Sequence, residues 1–117
     1  MRIDEHKIEG CYIYAKKYYH HQIDRIEATN LVYKYFGMNQ GSANDYIQAF
    51  YCMMNGERYT RTINTKATKY FLERIEREFG DNYLENALLA VKKHTEYYGS
   101  VSKGRLRGIE NILKNYN

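Results

Sequence analysis

Residues 64–80 of the 117-residue chain read NTKATKYFLERIEREFG. The apolar side chains of this stretch fall on one side of a helix with 3.6 residues per turn, and they are Ala67, Phe71, Leu72, Ile75 and Phe79. Asn64 or Thr65 is placed to cap the start of this helix, and Gly80 can end it in the left-handed conformation. The stretch therefore predicts a capped helix with one buried face.

Similar spacing predicts helices on both sides of this stretch. The expected segments are residues 8–19, 23–36, 42–54, 81–98 and 102–113. The predicted inner face of the second segment consists of Ile23, Ile26, Leu31, Tyr35 and Phe36. Ser42 and Asp45 fit a capping box at the start of the third segment, and Asp81 is placed to cap the segment after Gly80.

The chain contains no proline, whereas a typical chain contains about 5%. Because proline breaks helix interiors and marks turns, its absence fits a helical chain in which Gly37, Gly56, Gly80 and Gly99 end the helices. Residues 57–63 alternate briefly in polarity, and we expect an extended connector there, with a short strand as the alternative. The sequence predicts an all-α fold, a single compact bundle of five or six helices that forms one domain over residues 1–117.

Composition excludes several classes of protein. Hydrophobic residues make up 44% and charged residues 27% of the chain, as in ordinary globular proteins. No apolar run approaches the roughly 18 residues of a membrane span, and the first residues lack the apolar stretch of a signal peptide. Cys11 and Cys52 form no disulfide framework and lie among apolar neighbours, so we expect buried, unreactive thiols in a reducing compartment. These features predict a cytoplasmic protein without a membrane partner.

The net charge of +4 is unevenly distributed along the chain. Residues 1–55 contain six basic and six acidic side chains, whereas residues 56–117 contain twelve and eight. Two segments of the second half are distinctly basic, with a single acidic residue in each. Residues 57–69 contain Arg58, Arg61, Lys66 and Lys69, and residues 103–117 contain Lys103, Arg105, Arg107 and Lys114.

The first basic segment has the composition of a phosphate-binding site. Short polar side chains and the amides of a helix start lie next to two arginines, an arrangement that suits a phosphate group. Tyr59 lies between the arginines and is placed to stack on a base. The candidate nucleic-acid-binding residues are Arg58, Tyr59, Arg61, Thr62, Asn64, Lys66, Lys69, Lys103, Arg105 and Arg107. The alternative for each segment is an ordinary solvated helix face.

Catalytic and metal-binding patterns are absent from the sequence. The four histidines, His6, His20, His21 and His94, do not form the spacings of zinc sites, and we expect satisfied histidines at the surface or its boundary. There is no phosphate-binding glycine loop and no nucleophile elbow. We therefore expect no metal, no cofactor and no catalytic centre in this chain.

Several short stretches of the sequence together resemble one protein family. They are GSANDY (41–46), RYTRTIN (58–64), ATKYFL (67–72), Phe79-Gly80, Ala87-Leu88, His94 and Tyr97-Tyr98. This set resembles the helical N-terminal domains found ahead of HNH-nuclease domains in predicted bacterial restriction-type endonucleases, over about half of the chain. The resemblance implies a DNA-recognition or target-sensing module. The chain lacks the ββα-metal unit of an HNH nuclease, so the resemblance implies either a recognition module without the cutting domain or a shared helical scaffold.

Two functional hypotheses follow for this chain. The first is a nucleic-acid-binding module that contacts DNA, as a duplex, through residues 58–69 and 103–107. The alternative is a protein–protein interaction module, or a small phage or mobile-element regulator. That module would act through exposed tyrosines and methionines, as a homodimer or with another protein. An enzyme acting on a small or nucleic substrate remains a third class, without a residue pattern to support it.

Overall fold

The computed structural model of the chain describes residues 1–116, and these contain six helices. They are α1 (Glu5–Tyr19), α2 (Arg25–Phe36), α3 (Gln40–Asn55), α4 (Thr65–Phe79), α5 (Asp81–Val101) and α6 (Arg107–Asn115). No strand occurs among residues 1–116, and residues 57–64 form the expected connector. The predicted all-α bundle of five or six helices is confirmed.

Contacts group the chain into two units. Unit 1 runs from Met1 to Tyr51, and unit 2 runs from Cys52 to the end of the chain. The last residues of α3, from Cys52 onward, therefore belong to unit 2. Asn117, the final residue of the predicted domain and of the second basic segment, lies outside the described residues. That residues 1–117 form a single domain stays a prediction.

Short acidic or amide side chains start four of the helices. Asp4, Asp24 and Asn64 cap α1, α2 and α4, each accepting a hydrogen bond from the backbone amide three residues later. Asn39 does the same at α3, where its side-chain oxygen lies 3.2 Å from the Ser42 amide. The predicted Ser42 capping box is therefore wrong, because an equally good cap lies three residues earlier and Ser42 falls in the first turn.

Other predicted helix ends also need correction. Gly37, Gly56 and Gly80 have positive φ and follow helices, as expected, but Gly99 lies inside α5, which continues to Val101. Asp81 is the first residue of α5 rather than its cap, and Gly80 precedes it without a side-chain hydrogen bond. The last helix begins at Arg107 instead of near Ser102. Glycine spacing alone marked helix ends only where the backbone adopts the left-handed region.

The core of unit 1 forms where α1 packs on α2 and α3. Tyr12 and Phe50 meet edge to face with ring centroids 5.3 Å apart, and Ile8, Cys11 and Ala15 of α1 are fully buried as predicted. The predicted inner face of α2 is only partly right: Phe36 packs against Gly10, but the buried residues of α2 are Ala28, Thr29 and Val32. Ile26 and Tyr35, which had been assigned to that face, are more than half exposed.

Gly10 allows the close approach of α1 and α2. A methyl group at this position would come within 2.4–2.7 Å of three ring atoms of Phe36. These separations are far below van der Waals contact, so the ring occupies the space that any side chain would need. The glycine in the middle of α1 is therefore explained by packing, although glycine lowers helix stability.

Both thiols are buried, as predicted, and neither forms a disulfide. Cys11 donates a weak hydrogen bond to the sulfur of Met38 at 3.2 Å, and burial raises the pKa of its thiol to about 12. A thiol held protonated in this way is a poor nucleophile. Among the described residues, no helix is both long enough and apolar enough to cross a membrane.

Unit 2 is an antiparallel helix pair, α4 and α5, onto which α6 packs. Only Gly80 separates α4 from α5, and its φ of +90° permits the reversal. Phe71, Leu72 and Ile75 of α4 are fully buried with Ala87 and Val91 of α5. Ile109 and Ile112 anchor α6 to this core. The buried face predicted for residues 64–80 is confirmed, except that Phe79 is only half-buried.

We expect Gly10→Ala to lower the free energy of unfolding by about 1–3 kcal/mol, because the added methyl group overpacks the Phe36 ring. Gly99→Ala is the matched control, since a methyl group there meets nothing within 4 Å in the same type of backbone. It should raise stability by about 0.5–1 kcal/mol. Urea unfolding measures both changes, and equal effects of the two variants would contradict the packing explanation.

Candidate nucleic-acid interface

His94 organises the connector that precedes α4. Its ring is fully buried, with Nδ1 2.6 Å from the Tyr59 carbonyl oxygen and Nε2 2.9 Å from the Thr62 hydroxyl. Because a carbonyl only accepts, Nδ1 carries the proton and the Thr62 hydroxyl donates to Nε2. Both ring nitrogens are satisfied in the neutral form. His94 is therefore a core histidine, and the prediction of a surface or boundary position is wrong.

Tyr59, predicted as a nucleic-acid contact, is buried by stacking on the same imidazole. The two rings stack with centroids 4.4 Å apart and planes 13° apart, and Tyr59 is only 3% exposed. Its hydroxyl has no hydrogen-bond partner among residues 1–116, and burial raises the pKa of the phenol. The expected stacking of Tyr59 on a base needs an exposed ring face, so that part of the prediction is wrong.

Asn64 and Thr62, also predicted as contacts, have structural hydrogen bonds. The Asn64 side chain accepts from the Ala67 amide at 2.7 Å and its carbonyl accepts from the Thr68 hydroxyl at 3.0 Å. Asn64 caps α4 as predicted. The Thr62 hydroxyl is committed to His94. Both residues thus position the backbone around the start of α4, whatever else they contact.

The first turns of α4 and α6 lie side by side. A methyl group at Gly108 would come within 2.8 Å of the Thr65 hydroxyl oxygen, so glycine is needed for this approach. At the other end of the two helices, partial burial and the carboxylates of Glu76 and Glu73 raise the pKa of Tyr116. The N-terminal ends of α4 and α6 are thus adjacent, and the residue after the C-terminal end of α6 lies near the later turns of α4. The two helices therefore run parallel.

The loop between α5 and α6 returns to the same end of unit 2. Gly104 in this loop lies against the Tyr98 ring, where a methyl group would be 3.9 Å from the hydroxyl oxygen. The Tyr98 and His94 rings are neighbours, with centroids 6.4 Å apart. Because His94 also holds the connector before α4, the two predicted basic segments converge at the end formed by the last turns of α5 and the first turns of α4 and α6.

Three of the predicted cations have partners within the chain. Lys69 lies 3.9 Å from Glu73. Arg105 pairs with Glu110, and this hydrogen bond is the main cause that lowers the pKa of Glu110 and raises that of Arg105. The Arg58 guanidinium lies 4.7 Å from the Tyr97 ring centroid in a surface hollow that also contains Glu57 and Glu96.

Four other cations are exposed and form no ion pair among residues 1–116. They are Arg61, Lys66, Lys103 and Arg107, and we call them the cationic end of unit 2. Each of these cations is next in the chain to a residue whose contacts define the convergence described above. Those neighbouring residues are Thr62, Thr65, Gly104 and Gly108. Neighbouring Lys114 and Asn111 extend this surface along α6, where they share a hollow with Arg105, Arg107 and the carboxylate of Glu110.

The methionine component of the alternative interaction surface is mostly buried. Met38 is fully buried, as is Met53, and Met54 is 1% exposed, so only Met1 is available. Of the tyrosines, Tyr33 and Tyr35 on α2 are more than half exposed. The predicted Tyr/Met patch therefore reduces to tyrosines and Met1 in unit 1. Among residues 1–116 no group of three or more histidine, cysteine, aspartate or glutamate side chains is placed to hold a metal ion.

Comparisons with known proteins find no match. No family model, curated protein or solved structure matches this chain. The resemblance to HNH-associated domains therefore stays a prediction.

We expect Thr62→Val to lower the free energy of unfolding by about 1–3 kcal/mol, because it leaves Nε2 of the buried His94 without a donor. Valine keeps the shape of threonine, so the loss reports the hydrogen bond. Thr60→Val is the control, since Thr60 is exposed. Thermal or urea unfolding measures both, and equal stability of the two variants would show that the Thr62–His94 bond is not formed.

His94 also predicts a pH dependence of stability. Burial lowers its pKa, although the bond to Tyr59 opposes this effect. The unfolded chain, with an ordinary histidine pKa of about 6.5, then binds the proton more readily than the folded chain. Stability should therefore be constant above that value and fall as the pH drops below it toward the folded pKa. Urea unfolding between pH 8 and 5 tests this, with His21→Asn as an exposed-histidine control that should keep the fall and His94→Asn as the variant that should lose it.

Proposed function

We propose that this chain binds nucleic acid, as duplex DNA, through the cationic end of unit 2 and without a catalytic centre of its own. The observation that supports the proposal is the convergence of Arg61, Lys66, Lys103 and Arg107 from two segments that are separate in sequence. Phosphate contacts by arginine and lysine supply most of the affinity of such proteins. The four cations outnumber the acidic side chain beside them, Glu110, which acts on Arg107 from the same hollow, so this surface keeps the excess of positive charge that such binding requires.

The local backbone adds donors to this charge. The amides of Thr65 and Lys66 lie in the first turn of α4, where a helix offers its amides no intrahelical acceptor. The start of α6 lies next to them. Two helix N-termini at one place favour negative charge, and they do so beside three of the four unpaired cations.

The remaining predicted cations have a secondary place in this proposal. Lys69 and Arg105 already have carboxylate partners, Glu73 and Glu110, and both pairs are exposed enough for solvent to weaken them. DNA phosphates can therefore compete for these cations at moderate cost. Arg58 is braced on Tyr97 among acidic neighbours, which makes it the weakest candidate of the set.

The resemblance to HNH-associated recognition domains supports DNA over RNA and adds a biological setting, bacterial restriction–modification in the cytoplasm. In that setting a separate nuclease domain or partner would cut the DNA that this chain recognises. Modified bases are then a natural part of the target, and we include them in the experiment below.

Binding should weaken steeply with salt. If the four unpaired cations each neutralise one phosphate, the affinity should fall about a hundredfold between 50 and 200 mM salt, at a logarithmic slope near −0.9 per contact. Fluorescence anisotropy with a labelled duplex measures this slope, with single-stranded and methylated DNA of the same sequence as parallel probes. An affinity that barely changes over this range would refute the proposed phosphate contacts.

Single variants then assign the contacts. Arg61→Ala, Lys66→Ala and Arg107→Ala should each weaken binding and reduce the salt slope by about 0.9. Arg77→Ala is the matched control, because Arg77 is an exposed arginine of α4 near the helix end opposite Lys66. It should leave both quantities unchanged. All four variants should unfold at the same urea concentration as the parent chain, so that a lost fold is separated from a lost contact.

A further inference from the structure

A second surface of unit 2 differs in chemistry from the cationic end. Leu88 and Leu89 of α5 meet Leu113 and Tyr116 at the end of α6 in a groove of about 330 Å³. Two lysines complete its lining, and they are Lys92 and Lys114. The apolar side chains form one continuous strip at the junction of the two helices, and we call this surface the leucine groove.

Leu89 is a large apolar residue that α5 leaves exposed. It is 45% exposed, whereas Leu84, Ala87 and Val91 on the other side of α5 are buried. A helix period of 3.6 residues places Leu89 on the solvent side, where Glu85 and Lys92 flank it one turn away. Isolated exposed leucines are common, but a groove that gathers three leucines and a tyrosine is typical of an interaction surface.

The charge of the groove indicates the kind of partner. Both exposed charged residues in its lining, Lys92 and Lys114, are positive, and neither forms an ion pair among residues 1–116. The acidic neighbours of the groove lie outside its lining: Glu110 acts on Lys114 from one turn earlier in α6, and Glu76 and Glu73 act on the Tyr116 phenol from α4. Glu110 of α6 is turned toward Arg105. A partner with apolar side chains and carboxylates would therefore cover the leucines of the groove and form ion pairs with its two lysines.

We propose that the leucine groove binds an acidic amphipathic helix of a partner protein. Such a helix presents apolar anchors at intervals of three and four residues to a groove between two helices. Its carboxylates would lie against Lys92 and Lys114, and one or two of its large apolar side chains would fill the space beside Leu89. Nucleic acid fits this surface poorly, because a charged phosphate gains no favourable interaction from the apolar side chains of the groove and would lose hydration beside them. The inference does not depend on the proposed DNA binding.

A peptide selection tests the proposal without knowledge of the natural partner. A phage library of random 16-residue peptides is selected against the full chain, with binding of the enriched peptides then measured by fluorescence polarisation. The expected result is enrichment of sequences with leucine-type anchors at helical spacing and aspartate or glutamate between them. Failure to enrich such sequences, or enrichment of basic ones, would overturn the proposal.

Variants locate the binding. Leu89→Asp should weaken an enriched peptide at least tenfold, because it places a carboxylate in the apolar floor, whereas Val101→Asp should have no effect. Val101 is the matched control, since it is an apolar residue of the same helix that is 64% exposed and lies outside the groove. Reversing both groove charges with Lys92→Glu and Lys114→Glu should also weaken binding at least tenfold, and Lys66→Glu should change it less than twofold. Equal losses in Leu89→Asp and Val101→Asp would overturn the assignment to the groove.

The oligomeric state tests the alternative that a second copy of this chain occupies the groove. Sedimentation at increasing concentration should show the same association state for the parent chain and for Leu89→Asp. Self-association of the parent chain that is lost in Leu89→Asp is the contrary result. Association of that kind would assign the groove to a second copy of the chain and contradict the proposal. DNA binding by the parent chain is measured in the same preparation, and its presence or absence leaves the outcome for the groove unchanged.

Discussion

The hydrogen bonds of a single buried imidazole hold unit 2 in its observed arrangement. His94 accepts from Thr62 and donates to the Tyr59 carbonyl, so one side chain of α5 fixes two points of a connector that has no regular secondary structure of its own. Stacking of the Tyr59 ring on the imidazole adds an apolar contact to these polar ones. With the connector fixed, the start of α4 has a defined place beside the end of α5, and the cations on either side of it are fixed with it.

Most of the helices could be predicted from the sequence because their causes are local. Residues 64–80 contain a cap, one apolar face and a glycine stop, and each of these acts within a few residues. The α2 face was mispredicted because Ile26 and Tyr35 are exposed, while the small residues Ala28 and Thr29 are buried. Close packing through small residues leaves little trace in a hydrophobic pattern. Ser42 was mistaken for a cap because Asn39, outside the apolar pattern, has the same chemistry three residues earlier.

The cationic end was only partly predictable. The sequence identifies which residues are basic, and charge counting places the excess of basic residues in the second half of the chain. It could not show that Tyr59 is buried, because the partner that covers it, His94, lies 35 residues away. Nor could it show that Lys69 and Arg105 have carboxylate partners while Arg61 and Lys66 do not. The leucine groove was missed altogether, because nothing in the sequence indicates that Leu88 and Leu113 face an opening between helices.

The parallel direction of α4 and α6 has an energetic consequence for the empty protein. Helix dipoles that point the same way repel each other at matching ends, and Gly108 lies directly against the Thr65 side chain at the start of α4. The two arginines and two lysines of the cationic end increase that repulsion, and Glu110 in the first turn of α6 offsets part of it. An anion seated between the two helix starts would cancel part of it, so any such ligand would also tighten the contact of α6 with α4. If the proposed binding takes place at this end, it is linked to folding, and the melting temperature would report occupancy without a labelled probe.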